Sequence, residues 1–356
     1  MMTPQEELEP GMKQVFCVTM PPSGNPVKLT GTSLDDVIPS INGSLITWIN
    51  CTVGDVMKDA PIVSSKLGFD PNIIPTLLSG YHAAYEDFGI CVGIMLPAVA
   101  VNKLELDIYP LLILLRKDLI VTIHGEKVKR LVKFSRYADI VLRKIPQNVA
   151  WNDRLSIVLT RILDENNEKN FEGLRSIEEQ GDEIGRYLLD PATPRDVLGL
   201  EIYKMKHALI TYLNILWSTL DVINSLRYGD ADVITDDSKI LKRIGLLADD
   251  ITRQISLSEQ MSTVLASGLE VLQSIYNNQL QVLNNRMALV MTWLTILGTA
   301  VLVPNTLATI MSNPAYALTP EDASWFTGLI ILSTVISTWL AYAWVKKRGW
   351  MPSKVE

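Results

Sequence analysis

The chain has 356 residues, is 48% hydrophobic and carries a formal net charge of -7. That length allows two or three domains, and the acidic balance argues against a nucleic-acid partner. The apolar excess is concentrated at the C-terminal end, which leaves most of the chain free to be soluble.

Met1 to Pro10 is acidic and lacks an apolar core, so it does not read as a secretory signal; residues 1–12 are expected to be disordered. A strand is expected at Val15 to Thr19. Met20 to Gly31 is rich in Pro, Gly and Ser and reads as a loop. Leu45 to Asn50 reads as a second strand and Val53 to Lys66 as a helix. Asp70-Pro71 is expected to begin another helix, with Pro in its first turn. Three apolar runs follow, Gly89 to Ala98, Asp107 to Leu115 and Leu119 to His124, with strand length and strand residue types. Mixed strands and helices predict a layered α/β domain. Cys17, Cys51 and Cys91 are odd in number and far apart in strand-like runs, so they read as buried, reduced thiols with no disulfide framework.

From Glu126 the pattern turns helical. Lys127 to Lys144 ends before Pro146. Asn152 to Leu189 closes at Asp190-Pro191, and its Leu155, Val158, Leu159, Ile162 and Leu163 mark an amphipathic face. Pro194 to Leu226 is a third helix, and Thr235 to Asp237 offers caps for the next. No proline then occurs from Ile240 until Pro304. A helix continuous from Ile240 to Met311 would have seventy-two residues and a length of about 108 Å. A stalk of that length needs partners, which predicts oligomer packing.

The C-terminal portion has the composition of a membrane anchor. Met287 to Pro320 holds thirty-four residues with no Asp, Glu, Lys or Arg, and Ala323 to Val345 holds twenty-three more. About 20 apolar residues cross the hydrocarbon core, so two spans are expected. Lys346, Lys347 and Arg348 end the second span and Arg286 precedes the first. The connecting loop has Glu321 and Asp322 but no Lys or Arg. The positive-inside rule then puts both termini in the cytoplasm. Trp293, Trp325, Trp344 and Trp350 fall near span ends, as interfacial anchors do.

One pattern inside the first span is unusual. Asn278, Asn285, Thr292, Thr299, Thr306 and Asn313 lie seven apart, and all are uncharged oxygen-bearing residues. A seven-residue step keeps them near one face, drifting only about 20° per heptad; Thr295 and Thr309 broaden that face. Polar side chains in hydrocarbon are costly unless they face other helices or water, which points to a pore. Two ordinary readings stand beside it: threonine hydroxyls bonding back to their own helix, and helix packing.

No phosphate-cradling glycine loop and no nucleophile elbow occurs, and His82, His124 and His207 sit in separate elements without metal-ligand spacing. Nothing points to an enzyme. Two acidic pairs, Glu86-Asp87 and Asp249-Asp250, are of the oxygen type a hard divalent ion takes, although a solvated face is the ordinary reading of such pairs.

The residues resemble the CorA family of divalent-cation channels. Leu283-Asn284-Asn285-Arg286-Met287 followed by Leu294-Thr295-Ile296 looks like that family's stalk-to-membrane junction. Pro304 lies at its pore-helix proline, and Pro320-Glu321 is similar to the Pro-Glu of its outer loop. Thr47-Trp48-Ile49-Asn50, Leu67-Gly68-Phe69-Asp70-Pro71 and Asp118-Leu119-Ile120-Val121-Thr122-Ile123-His124 follow the family's order. The resemblance covers about residues 13–350. It departs at the family's Gly-Met-Asn signature, where Asn313-Pro314-Ala315-Tyr316 stands. Pro314 fixes φ and removes a backbone donor, so a different loop geometry and an altered ion preference are expected.

The resemblance implies an α/β cytoplasmic domain (13–239), a stalk helix continuing into the first span (240–311), an external loop (312–322), a second span (323–345) and a basic tail (346–356). It implies a homopentamer in the plasma membrane whose partners are copies of itself, lipid and divalent cations. Mg²⁺, Zn²⁺, Co²⁺ or Ni²⁺ would pass a pore lined by Asn278, Asn285, Thr292, Thr295, Thr299, Leu302, Thr306 and Asn313. Leu302 and Val303 would serve as a dewetting gate, and Glu321 and Asp322 as an acidic outer mouth. Cytoplasmic divalents would regulate the pore at Asp249, Asp250, Glu86 and Asp87. Beyond the transported ion no cofactor is expected. Two other readings stay open at this point: a non-conducting ion sensor or scaffold on the same fold, and a proton-coupled transporter of altered selectivity.

Overall fold

The structure, a computed structural model, describes residues 11–80, 82–189, 194–229, 231–313, 316 and 319–348. It divides into two compact units, Met1–Gly268 and Leu269–Glu356. The expectations for residues 1–10, for Asp190-Pro191, for Trp350 and for the end of the basic tail lie outside the described residues.

The first unit is built on a seven-stranded mixed sheet of β1 (Met12–Met20), β2 (Val27–Gly31), β3 (Ile46–Val53), β4 (Ala84–Asp87), β5 (Cys91–Asn102), β6 (Glu105–Arg116) and β7 (Leu119–Gly125). Their order is β2-β1-β3-β7-β6-β5-β4. Only β3 and β7 pair in parallel, with Trp48 beside Ile120 and Asn50 beside Thr122. The two segments Thr47–Asn50 and Asp118–His124 therefore meet as central neighbours. The β5–β6 and β6–β7 hairpins close through two-residue loops in which Lys103 (φ 56°) and Asp118 (φ 62°) take the left-handed conformation.

Strand alternation sends one set of side chains to each face. Val15, Cys17, Ile49, Cys51, Val121, Ile123, Leu112 and Leu114 meet α1 (Val56–Lys66) and α2 (Ile73–Leu78) in one core. Gly93 belongs to this face: an added Cβ would stand 2.8 Å from Leu77 and 3.0 Å from Ile73, so α2 can approach only a glycine there. The other face carries Trp48, fully buried, with ring centroids 4.7 Å from Phe134 of α3 (Leu131–Arg143) and 5.5 Å from Phe16. Next come α4 (Trp151–Leu189), which lies on β5, and α5 (Arg195–Tyr228). The last helix, α6 (Ser238–Met311), runs from the first unit into the second. Its start is capped by Asp237, whose Oδ1 accepts from the N–H groups of Lys239 at 2.7 Å and Ile240 at 3.2 Å.

Several sequence expectations are corrected. Within the expected loop Met20 to Gly31, Val27–Gly31 is a strand, because β1 offers its outer edge and the run pairs with it from Thr19↔Val27 to Val15↔Gly31. Val53 ends β3; α1 begins only after Gly54, with Asp55 accepting from Met57 N–H at 3.0 Å as its cap. Asp70 makes the same kind of turn with Asn72 N–H at 2.9 Å, which delays α2 to Ile73. Likewise α3 begins at Leu131, after the turn that buries Val128. Glu86 and Asp87 precede the strand β5 and themselves lie in a further one, β4 at the sheet edge. All three cysteines are buried and unpaired, as read from their placement.

The Pro97↔Pro110 pair in β5–β6 shapes the join between sheet and α4. β4 covers β5 only from Val92 to Met95, so beyond that point the outward backbone groups of β5 lack a strand partner and need another. Asn166 and Asn170 of α4 each donate to Pro97 O at 3.3 Å, and Asn170 Oδ1 accepts from Val99 N–H at 3.3 Å. The Arg130 guanidinium completes the join by donating to Val99 O, to Asn170 Oδ1 at 2.6 Å and to Asn166 O at 2.9 Å. All its partners here are neutral, and burial pulls its pKa down to about 10.

His124 on β7 is also buried. Its ring lies between Gly125 O (3.0 Å from Nδ1) and Asn50 Oδ1 (3.1 Å from Nε2), and Asn50 Oδ1 also accepts from Thr122 Oγ1 at 2.6 Å. Burial lowers its pKa below the ordinary 6.5. The unfolded chain then takes up a proton first on acidification, so stability is full above about pH 6.5 and falls as pH drops toward the lowered native value. The melting temperature is expected to fall between pH 6.5 and 5 by more in the native chain than in His124→Gln; equal slopes in thermal unfolding would remove His124 as the cause.

The second unit holds the C-terminal part of α6 and α7 (Ala323–Lys347), which starts after a 3₁₀ turn at Pro320–Asp322. Apolar windows in the two helices have mean hydropathy of 1.9 and 1.7 and are only 17% and 11% buried. Leu294, Leu297, Val301, Leu302, Ile331, Val335 and Trp339 are all exposed. Apolar exposure on that scale needs a lipid or protein covering.

Candidate functional site

The threonines of the α6 span share one geometry. Each hydroxyl donates to the carbonyl one turn earlier: Thr292 to Ala288 O at 2.8 Å, Thr295 to Met291 O at 2.9 Å, Thr299 to Thr295 O at 2.9 Å, Thr306 to Leu302 O at 2.7 Å and Thr309 to Asn305 O at 2.7 Å. Such back-bonding lets threonine sit in an apolar helix. It also leaves each hydroxyl oxygen with acceptor capacity only.

The stripe does not all face one way. Thr295, Thr299 and Val303 line a groove of about 610 Å³ whose other wall is Ser333, Ser337 and Leu340 of α7. On the same side Ile296 and Ala300 are buried at 4% and 9% exposure. Asn278 and Asn285 are exposed, as are Leu302 and Thr306, while Thr292 is half-buried; none of these five lines the groove. Asn305, three residues beyond Leu302 and four before Thr309, is exposed with them and shares their face. The seven-residue count passed over it; an uncharged amide directly after Pro304 was the available signal. Ser333 and Ser337 of α7 were missed too.

At the loop, Asn313 N–H donates to Ile310 O at 3.2 Å and Tyr316 N–H to Asn313 O at 3.0 Å; Pro314 and Ala315 lie outside the described residues. Asp322 has both oxygens engaged. Oδ2 accepts from Thr319 N–H at 2.9 Å and Oγ1 at 2.8 Å, and Oδ1 accepts from Trp325 Nε1 at 2.9 Å. It closes a capping box on the 3₁₀ turn Pro320–Asp322 that leads into α7. Glu321 is exposed and has no hydrogen bond or ion pair among the described residues.

The four acidic candidates of the first unit lie on two elements. Glu86 is half-buried on β4, and the exposed Asp87 accepts from Gly89 N–H at 2.8 Å. Asp249 is exposed on α6, and Asp250 pairs with Arg253. Among the described residues, no group of three or more His, Cys, Asp or Glu side chains has the spacing to hold a metal ion. Asp250 does line a cavity of about 640 Å³ with Asp164, Asn167, Glu168 and Gln254, and its ion-pair partner Arg253 borders the same cavity. Gln254 is 4% exposed; its Nε2 donates to Asn167 Oδ1 at 2.9 Å, and its buried Oε1 has no partner among the described residues. Burial pushes the Asp164 carboxyl up, against the pull of Arg161, and Glu168 and Asp250 push it further. A row of oxygens on α4 facing α6 was not visible as a motif, because its members come from two helices far apart in sequence.

A mixed-sheet domain, a long helix and a second C-terminal helix, both helices apolar enough to span, define a two-span membrane protein. The sequence matches the family described as CorA-like Mg²⁺ transporter protein over residues 45–347, and the chain belongs to that family. Its members are divalent-cation transporters, not enzymes. No curated protein matches the sequence. The fold is similar to the complete CorA magnesium transporter of Methanocaldococcus jannaschii, at 18% identity and TM-score 0.64, covering 92% of this chain and 96% of that one. It is similar to full-length CmaX, at 14% identity and TM-score 0.62, covering 96% and 100%. The cytoplasmic domain of ZntB from Vibrio parahaemolyticus matches at 16% identity and TM-score 0.55, covering 76% and 99%.

Proposed function

We propose that the chain forms a homopentameric channel for hydrated divalent cations, Mg²⁺ foremost, in the plasma membrane with both termini cytoplasmic. Five copies of α6 line its pore through Asn278, Asn285, Thr292, Thr295, Thr299, Leu302, Thr306 and Asn313. The observation that carries this reading is the family match over residues 45–347; the back-bonded threonines of α6 add how such a pore would handle a hydrated ion. Waters around a cation turn their hydrogens outward. Hydroxyls whose own protons are committed to the helix can only accept, so rings of them take hydrogen bonds from that shell. Mg²⁺ dehydrates reluctantly, so a pore that binds its water rather than the bare ion suits it. Cytoplasmic divalents act on the first unit through Asp249, Asp250, Glu86 and Asp87, with the oxygen-lined cavity beside Asp250 as the place within one chain. The test is flux into proteoliposomes of Mg²⁺, Zn²⁺, Co²⁺, Ni²⁺ and K⁺ in parallel. Divalent flux that falls when divalents are added on the cytoplasmic face supports the reading. No flux of any cation from assembled oligomers overturns it in favour of a sensor or scaffold.

The outer mouth separates two roles that adjacent carboxylates would otherwise share. Glu321→Gln is expected to lower divalent entry roughly tenfold at low ionic strength and little at high salt, as a steering charge does. Asp322→Asn is expected to lower the melting temperature through loss of the cap, worth about 1 kcal/mol. A Glu321→Gln effect that persists undiminished in high salt would rule out steering.

A further inference from the structure

A second cavity in the first unit has the opposite character to the oxygen-lined one. It measures about 540 Å³ and lies where the end of α3 meets α4 and α6. Three cations border it, one from each helix region: Lys144 at the α3 C-cap, Arg161 of α4 and Arg243 of α6. No carboxylate is among its lining residues, although the chain as a whole is acidic, with net charge -7. Arg161 pairs with Asp164 at 3.5 Å, and Asp164 does not line the cavity. Lys144 and Arg243 make no ion pair among the described residues, and all three cations are exposed at the cavity. The remaining wall is apolar, chiefly Ile140, Pro146 and Ile157. Ile140 is 46% exposed. Tyr137 also lines it, with its hydroxyl donating to Glu165.

The volume is within the ~300–1,000 Å³ range of small-molecule sites. Arginine forks recognise phosphate oxygens two at a time, and lysine adds a point charge. Three cations from three helices suit an anion with several charges rather than a single carboxylate. An apolar wall next to them suits a planar or carbon-rich body attached to that anion. The net charge of -7 argues against a nucleic-acid strand, and the short apolar wall does not fit an acyl chain.

We propose that this cavity binds a soluble organic phosphate of nucleotide size, with its phosphates on Lys144, Arg161 and Arg243 and its body on Ile140, Pro146 and Ile157. The site stands independently of the pore. Arg161 and Arg243 also border a neighbouring cavity that contains Asp164 and Asp250. Neutralising them from one side changes the field on those carboxylates, which gives the ligand a route to influence cation binding there.

The test is equilibrium binding of labelled ATP to the purified full-length protein in detergent, with EDTA present. Saturable binding is expected. It should weaken by at least about tenfold in Arg243→Glu and in Lys144→Glu, since a charge-assisted contact is replaced by repulsion. Arg243→Gln should show a smaller loss, and Lys58→Glu, on the exposed surface of α1, should bind as the native chain does. Melting temperatures of the variants show that each is folded. Absence of saturable ATP binding overturns the proposal. So does equal weakening by Lys58→Glu, which would mean diffuse attraction. Attachment to phosphatidylglycerol vesicles that ATP does not displace also overturns it, in favour of a lipid headgroup.

Discussion

Replacing Thr299 and Thr306 together by leucine is expected to cut divalent flux roughly a hundredfold while leaving assembly intact. Each hydroxyl ring removed takes hydrogen bonds from the ion's water, which raises the barrier by on the order of 1–2 kcal/mol per ring. Serine at both positions keeps the back-bonding oxygen and should retain most of the flux. The two single substitutions should differ. Thr306 is exposed away from the groove toward α7, so Thr306→Leu acts on flux alone. Thr299 lines that groove with Ser333 and Ser337, so Thr299→Leu also alters the apolar contact between the two helices and should shift the melting temperature. Full flux in the assembled double variant would dismiss the threonine stripe as the pathway.

The second large effect concerns Arg130. Arg130→Ala is expected to destabilise the first unit by about 3 kcal/mol, since it orphans Val99 O beneath α4 at ~1–3 kcal/mol, takes a charged donor from Asn170 Oδ1 and leaves a void where the buried side chain lay. A loss of that size should lower the melting temperature by roughly 6–12 °C. Arg130→Lys should restore little of it. One ammonium cannot bridge the β5 carbonyl and both asparagines, which the flat guanidinium does with two nitrogens. A lysine variant with native stability would show that charge alone matters at this position.

The parts of this fold that were readable in the sequence are those where one segment carries its own signal. Leu119 to His124 is apolar but for Thr122 and His124 because β7 is buried on both faces, and its limits were read to within one residue. The 3.6-residue spacing on α4 was equally plain. What failed depended on a distant partner. Val27–Gly31 became a strand because β1 had an edge to offer, and nothing within those five residues, set behind Pro21, Pro22 and Pro26, announces it. Asn166 and Asn170 look like ordinary polar positions on α4. Their role exists only because Pro97 and the short β4 leave β5 without a partner there.

The candidate site divides in the same way. A seven-residue count found Thr292, Thr299 and Thr306, since periodicity is a local property. It could not tell which of them would meet α7, and it missed Asn305. At the outer mouth, Glu321 and Asp322 are equivalent as sequence, and only the Thr319 and Trp325 contacts separate a cap from an unengaged carboxylate. The oxygen-lined cavity beside Asp250 needs two helices brought together and the basic one beside Arg243 needs three, which no motif records.

The buried thiols give the folded chain a chemical silence. Cys17, Cys51 and Cys91 are 0%, 0% and 6% exposed, and burial raises the pKa of each, which keeps them in the unreactive protonated form. Thiol reagents should therefore modify the native chain only as fast as its sheet opens. The reaction rate becomes a clock for that opening. A single cysteine introduced on the exposed face of α6, as in Gln279→Cys, would then carry a spectroscopic label alone. Label-to-label distances measured from that position would count the subunits around the axis without any native cysteine having to be removed.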